Sequence, residues 1–287
     1  MQGEALEKLI ITVALTGNVP TPKMNPHLPV TPEEMAADVS RCADAGASLF
    51  HVHARDAEQR PTLDVDVYRR IVAAIKRTRP DVILQLSTGA RAGVDPEARV
   101  APVRLLPEMA SFTTGSCNLP GIVYANPPQF LDYLATVFRD TGVKPEIEVF
   151  EAGMIQNALF LQNKGLLRAP LHFDFVLGAP GAMPAGVRNL VFLSESLPPE
   201  ATWTVAGIGK AEIPMAAAAI VMGGHVRVGL EDNLRMPDGA PATNPGLVET
   251  VVSIAREVGR EIASPEEARR ILSLSPEFKD RILGVIE

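Results

Sequence analysis

Cysteine is scarce. The chain has two in 287 residues, Cys42 and Cys117, in neither a metal-site nor a redox spacing. That count excludes a disulfide framework and leads us to expect a reducing, cytoplasmic compartment. Aromatic residues make up 5%, with a single tryptophan, and no basic run interleaves with them. With a formal net charge of −7, nucleic acid and anionic membrane surfaces are poor partners. Long apolar runs are missing as well. The longest candidate, residues 213–222, contains Pro214 and stops at Gly223-Gly224, well short of a membrane span. The first eight residues carry Glu4 and Glu7 and no apolar core, which is not a signal-peptide pattern. Without repeats, low-complexity stretches or a linker, one domain over 1–287 is expected.

What the chain does have is alternation. Short apolar runs at residues 9–15, 48–53, 82–87, 109–113, 146–150, 171–177, 202–206 and 225–229 read as eight strands. Helical patterns separate them, at 31–45, 64–78, 96–106, 128–140, 154–164, 188–197 and 210–222. A closing helix at 245–260 and a short extra one at about 264–274 follow. Thr31-Pro32-Glu33-Glu34 and Ser264-Pro265-Glu266-Glu267 are helix starts, with a hydroxyl cap, proline in the first turn and acids facing the dipole. Eight strand–helix units predict a (β/α)8 barrel. A doubly wound open sheet would show a glycine fingerprint after its first strand, and Thr16-Gly17-Asn18-Val19 is not one. Two loops are candidates for function: residues 16–29, long and proline-rich, and the glycine-bearing 88–93.

The second strand ends in His51-Val52-His53. Side chains at i and i+2 of a strand share a face, so the two imidazoles project side by side. Alone, the motif fits a metal pair or a buried histidine beside a solvated one. Barrel closure adds a third donor. Strand eight lies next to strand one, and its end, Arg227-Val228-Gly229-Leu230-Glu231-Asp232, brings Glu231 toward the pair. Two histidines and a carboxylate with an open position form a catalytic zinc set, although cobalt, nickel and iron suit the same donors. Such an ion is a Lewis acid for a carbonyl. Asp232, paired with Arg227, reads as a general base working α to that carbonyl; a purely structural ion pair is the alternative. Backbone N–H groups at Gly207 and Gly209 open helix seven and favour an anion, a substrate carboxylate or a phosphate. His172 and Asp174 are rival ligands that read as buried supports between Phe173 and Phe175. His225 lies at the wrong strand end, and His27 in the first loop could reach inward.

Several blocks in order resemble the β-keto acid cleavage enzymes. They are Thr31-Pro32-Glu33-Glu34, His51-Val52-His53, Gln85-Leu86-Ser87-Thr88-Gly89, Pro107-Glu108-Met109-Ala110, Pro145-Glu146-Ile147-Glu148, Phe175 to Gly181, Val205 to Gly209 and Gly223 to Asn233. The resemblance implies a (β/α)8 homotetramer with zinc on His51, His53 and Glu231. It further implies conversion of a β-keto acid and acetyl-CoA into acetoacetate and a new acyl-CoA, with Gly207 and Gly209 a candidate place for the coenzyme. In that scheme Asp232 is the base, assisted by Arg227, and Ser87, Gly89, Ala90, Ser111 and Glu148 contact the substrate. Departures from the family pattern concern the substrate. The member acting on an amino-substituted acid has a glutamate where this chain has Val19, a second glycine at Ala90 and a threonine at Ser111. Without the glutamate a buried ammonium would lack a partner, so a neutral or apolar keto acid is expected. The rival reading is a metal-dependent hydrolase of the amidohydrolase type, which places His-x-His on its first strand and draws histidines from strands five and six.

Overall fold

A computed structural model describes residues 6–90, 94–279 and 281–286. Residues 1–5 and Arg91-Ala92-Gly93, part of the second loop singled out above, lie outside it. Eight parallel strands close into a barrel: β1 Ile11–Ala14, β2 Leu49–Val52, β3 Ile83–Leu86, β4 Met109–Thr113, β5 Lys144–Val149, β6 His172–Leu177, β7 Thr202–Gly207 and β8 His225–Val228. Each strand neighbours the next, and β8 closes on β1 with Thr12 beside Arg227. Helices alternate with them: α1 Pro32–Ala45, α2 Val65–Thr78, α3 Pro96–Val100, α4 Pro128–Thr141, α5 Gly153–Asn163, α6 Val187–Glu195, α7 Glu212–Met222 and α8 Asn244–Glu257, then α9 Pro265–Ile271 and α10 Leu283–Ile286. Among the described residues no helix is long and apolar enough to cross a membrane.

The strand pattern explains where chemistry sits. One parity of each strand, such as Phe50, Val52, Phe112, Phe173, Phe175 and Val226, packs outward against helix residues such as Met35, Val39, Ile71 and Leu247 in one large core. The other parity faces into the barrel. At the floor it is apolar: Ile10, Leu49, Ile83 and Met109 pack with Ala263, Ala268 and Leu272 around α9. Above that layer it turns polar, with Thr12, His51, Gln85, Glu146, Asp174 and Arg227 all buried. A barrel interior is ordinarily filled by branched apolar side chains. Polar groups this deep cost free energy unless they are paired.

Capping follows the sequence signals. Thr31 and Glu34 close a capping box on α1, as Ser264 and Glu267 do on α9. The continuous helix expected over 96–106 is instead α3 followed by a 3-10 turn, Ala101–Leu105, that ends on Leu106 at φ +57°. Pro102 is the cause: it has no N–H, and its ring crowds the carbonyl four residues back. The helix expected from residue 210 starts at Glu212, after a 3-10 turn Gly209–Ala211, and α8 ends at Glu257 rather than 260. Two small hairpins had no strand-length pattern to announce them. One pairs Ala54–Arg55 with Pro61–Thr62, the other Cys117–Leu119 with Ile122–Tyr124. Pro120-Gly121, with Gly121 at φ +77°, is a turn signal that could have revealed the second.

Candidate active site

His51 is the last inward residue of β2 and lies beside Ala14 of β1 and Gln85 of β3. Its Nδ1–H donates to Gln85 Oε1 at 2.5 Å, because an amide oxygen only accepts. His53, just past the strand end, donates its Nδ1–H to Asn18 Oδ1 at 3.0 Å. Both rings therefore turn Nε2 the same way, toward the carboxylate of Glu231 in the loop after β8. His51 Nε2 lies 3.7 Å and His53 Nε2 3.3 Å from its oxygens. One donor atom from each residue falls within 4.8 Å of the others, and among the described residues this is the one such group.

These donors fit a divalent cation. Burial, aided by Arg227 and His53, lowers the His51 pKa to about 4, so this ring is neutral and its Nε2 is a bare lone pair. Burial works against a charge on Glu231, but His53 and Arg227 outweigh it and hold the carboxyl well below the usual carboxylate range. His51 Nε2 and Glu231 Oε2 are buried with no hydrogen-bond partner. A lone pair thus faces an anionic oxygen with no proton between them, an arrangement that a cation relieves. The amide oxygens on the far side of each ring are the outer supports that metal-binding histidines commonly use. Replacing Gln85 by Leu is accordingly expected to weaken metal affinity about 10- to 100-fold without unfolding the chain, as measured by metal titration and circular dichroism.

Beside the donors stands a buried charge hub. Arg227 binds Asp232 through Nε (2.8 Å) and Nη2 (3.1 Å). Its Nη2 also lies 2.9 Å from Glu231 Oε1, and its Nη1 lies 3.4 Å from Asp174 and 3.5 Å from Glu148. Burial opposes the guanidinium charge, yet these carboxylates more than restore it. Burial pushes Asp232 up to about 6 against the pull of Arg227, and raises Glu148 against the same pull. Asp232 is thus ionised near neutrality and still a competent base.

The loop carrying both acids is tied down residue by residue. Gly229 N–H donates to Glu212 Oε1, Leu230 N–H to Asn244 Oδ1 and Glu231 N–H to the Ala14 carbonyl, at 2.8, 2.8 and 3.2 Å. Asp232 and Asn233 N–H groups both return to the Gly229 carbonyl. Gly229 is obligatory: its φ is +148°, and a Cβ there would stand 2.2 Å from the Ala14 oxygen.

The remaining expected residues divide. Ser87 Oγ accepts from Gly89 N–H (3.1 Å), and Ser111 Oγ from Thr88 N–H (3.2 Å), so both brace the turn after β3. Glu148 accepts from Thr113 Oγ1 at 2.5 Å. Gly89, Ala90 and Asn18, with Arg60, Thr62 and Val94, line a cleft of about 680 Å³. Val19 is 73% exposed and outside the lining of that cleft. The Gly209 N–H is spent on the Asp232 carbonyl at 2.8 Å, and a Cβ on Gly207 would stand 2.4 Å from the Ala211 oxygen. This turn supports the acid loop from below. His172 is held by Thr202 (2.8 Å) and Glu146 (3.3 Å), and His225 Nδ1 accepts from Ile10 N–H at the barrel floor. Neither joins the donor group, nor does His27. Asn18 and Gln85 were missed as functional residues; strand register alone places Gln85 beside His51.

A closed (β/α)8 barrel that gathers paired imidazoles, a carboxylate and an Arg–Asp pair at the C-terminal ends of its strands is an enzyme scaffold. The chain belongs to the β-keto acid cleavage enzyme family, whose model matches residues 8–274. It is 48% identical to the 3-keto-5-aminohexanoate cleavage enzyme of Fusobacterium nucleatum, over 94% of this chain and 99% of that one. It is 40% identical to the 3-oxoadipate:acetyl-CoA acetyltransferase of Cupriavidus necator, over 92% and 94%. Among solved structures, apo ObcA superposes with a TM-score of 0.77 at 25% identity, covering 87% of this chain and 66% of that one. The hydrolase alternative finds no support, since the pair sits at the end of β2 rather than β1 and no histidine of β5 or β6 joins it.

Proposed function

We propose that the protein converts a β-keto acid and acetyl-CoA into acetoacetate and a new acyl-CoA. The observation that carries this reading is the Asp232–Arg227 pair directly beside the donors His51, His53 and Glu231. A divalent ion on those donors, zinc by their chemistry, would polarise the keto carbonyl as a Lewis acid. Asp232 takes a proton from C2 of the keto acid, and Arg227 keeps the carboxylate ionised and aimed. The carbanion attacks the acetyl thioester carbonyl and expels the CoA thiolate. That thiolate then attacks the original keto carbonyl, the C2–C3 bond breaks, and C2 recovers the proton from Asp232 as acetoacetate leaves. Protons and electrons balance without a further reactant. Ser87, Gly89, Ala90, Ser111 and Glu148 form the keto acid side of the site; the neutral or apolar tail rests on the missing glutamate at position 19, while Val19 itself is exposed and outside the cleft lining.

Purified protein supplied with zinc, acetyl-CoA and a panel of β-keto acids should release acetoacetate. Turnover without CoA would instead indicate a hydrolase. The name of the Fusobacterium relative makes the amino-substituted acid the necessary comparison. If that acid is preferred, the argument from Val19 fails.

We infer further that the chain works as a homotetramer. Phe160 on α5, Phe192 on α6 and Val221 on α7 expose 63%, 52% and 58% of their surface on outer helix faces, an apolar area that a second copy would cover. Light scattering should give four times the 30.7 kDa chain mass, and a monomer would overturn this. Cys42 and Cys117, free and buried, suit a reducing cytoplasm.

A further inference from the structure

At the floor of the barrel, the end opposite His51 and His53, lies a cavity of about 190 Å³ that the chemistry above does not use. Apolar side chains wall it: Phe138, Leu166, Leu167, Phe278 and Leu274, the last a member of the floor cluster. Its charged lining is Glu108, Arg139, Lys144 and Arg168. Lys144 opens β5, and its main-chain N–H donates to the Glu108 carbonyl at 3.1 Å. The Glu108 carboxylate is not its counter-ion. Arg269 holds that group through two bonds, of 2.6 and 2.8 Å, and the Lys76 ammonium lies 3.9 Å away. The Lys144 ammonium donates to the Pro170 carbonyl instead, and among the described residues it has no carboxylate partner.

A half-buried ammonium with one neutral acceptor is poorly stabilised, and burial lowers its pKa to about 8. At pH 7 about a tenth of it is then free amine, against about one part in 2,500 for an ordinary lysine. The other lysines differ. Lys8 pairs with Glu261 and Glu267, Lys164 pairs with Asp132, and Lys76 donates to the Pro80 and Val82 carbonyls. Lys23, Lys210 and Lys279 are exposed and outside the lining of this cavity. A nucleophile, an apolar chamber and two further cations thus share one cavity. We propose that Lys144 is a site of acylation by a short-chain acyl-CoA. The free amine attacks the thioester carbonyl, an N–C bond forms and the C–S bond breaks. One nitrogen-bound proton leaves with the thiolate as CoA and another passes to solvent, so no oxidant or further reactant is consumed. The acyl chain packs on the apolar walls, and the new amide keeps an N–H for the Pro170 carbonyl. Arg168 and Arg139, both exposed, offer charge to the phosphates of the coenzyme, although Arg139 is shared with Asp140. This site is separate from the reaction proposed above and does not depend on it.

Wild-type protein incubated with butyryl-CoA and digested for peptide mass spectrometry reports the rate at every lysine in one sample. No keto acid is present, so the reading is independent of turnover. Lys144 should acylate about tenfold faster than Lys23, Lys210 or Lys279 near neutral pH, because more of it is free amine. Its rate should level off above about pH 9, while an ordinary lysine keeps gaining free amine up to its pKa of about 10.4. The butyryl thioester of N-acetylcysteamine carries the same acyl group and no phosphate. With it the Lys144 rate should fall about threefold, the worth of an exposed ion pair, and the rates at the other three should not. Equal rates at Lys144 and the exposed lysines overturn the proposal. A Lys144 rate that is the same with and without the phosphates overturns it as well.

Discussion

Asp232→Asn is expected to lower kcat by a factor on the order of 10² to 10⁴, the usual worth of a positioned acid–base group, with metal content unchanged. The carboxylate holds two bonds to Arg227, at 2.8 and 3.1 Å, and lies next to Glu231 in sequence without joining the donor group. An asparagine keeps the volume and one of those bonds. What it loses is a lone pair basic enough to take a carbon-bound proton. Its amide also meets Arg227 donor to donor, so a structural role for the pair would appear as a loss of thermal stability. The two roles separate cleanly: a stable, metal-loaded protein without turnover supports the base, and a variant that loses metal or unfolds contradicts it. Deuterium wash-in at C2 of the keto acid, without acetyl-CoA, gives the second readout. Wild type should exchange, and the variant should not.

The other large effect is expected from the donors. His51→Ala should abolish stoichiometric metal and activity together, and Glu231→Gln should do the same. His51 is fully buried and neutral, so it contributes no charge that a neighbouring side chain could replace. Its removal leaves one imidazole and one carboxylate, too few protein donors for a catalytic zinc site. Glu231→Gln is the sharper case. The glutamine retains an oxygen for Arg227, 2.9 Å away in the parent, but brings no negative charge to the cation. Metal analysis after dialysis decides the matter, and a full complement in either variant would refute the assignment.

Much of this site could be read before any coordinates. His51 and His53 announce themselves through the period of a strand, and the closure of an eight-stranded barrel brings Glu231 to them from 180 positions downstream in the chain. Asp232 and Arg227 follow because they share that last strand and its loop. The parts that stayed hidden depend on tertiary contacts that no local pattern encodes. Asn18 sits in an irregular loop, and its value lies in one bond to His53. Gly207 and Gly209 suggested an anion site, but the Gly209 N–H turns to the Asp232 carbonyl, a partner that exists only once β7 and β8 lie together. Pro102, by contrast, was visible in the sequence and still enough to break a helix that hydrophobic spacing alone had drawn too long.

Every main-chain N–H from Gly229 to Asn233 already has its acceptor inside the protein. The two acids of that segment therefore do not wait for a reactant to take up their positions, and little ordering remains to be done when one arrives. The walls of the cleft come from other stretches, the loops after β1, β2 and β3. A change at Arg60, Thr62 or Val94 is expected to alter what is admitted without moving Asp232, whereas Asn18 lines the cleft and also holds His53. One reactive frame can thus serve many acyl groups, and a new preference requires only a new wall.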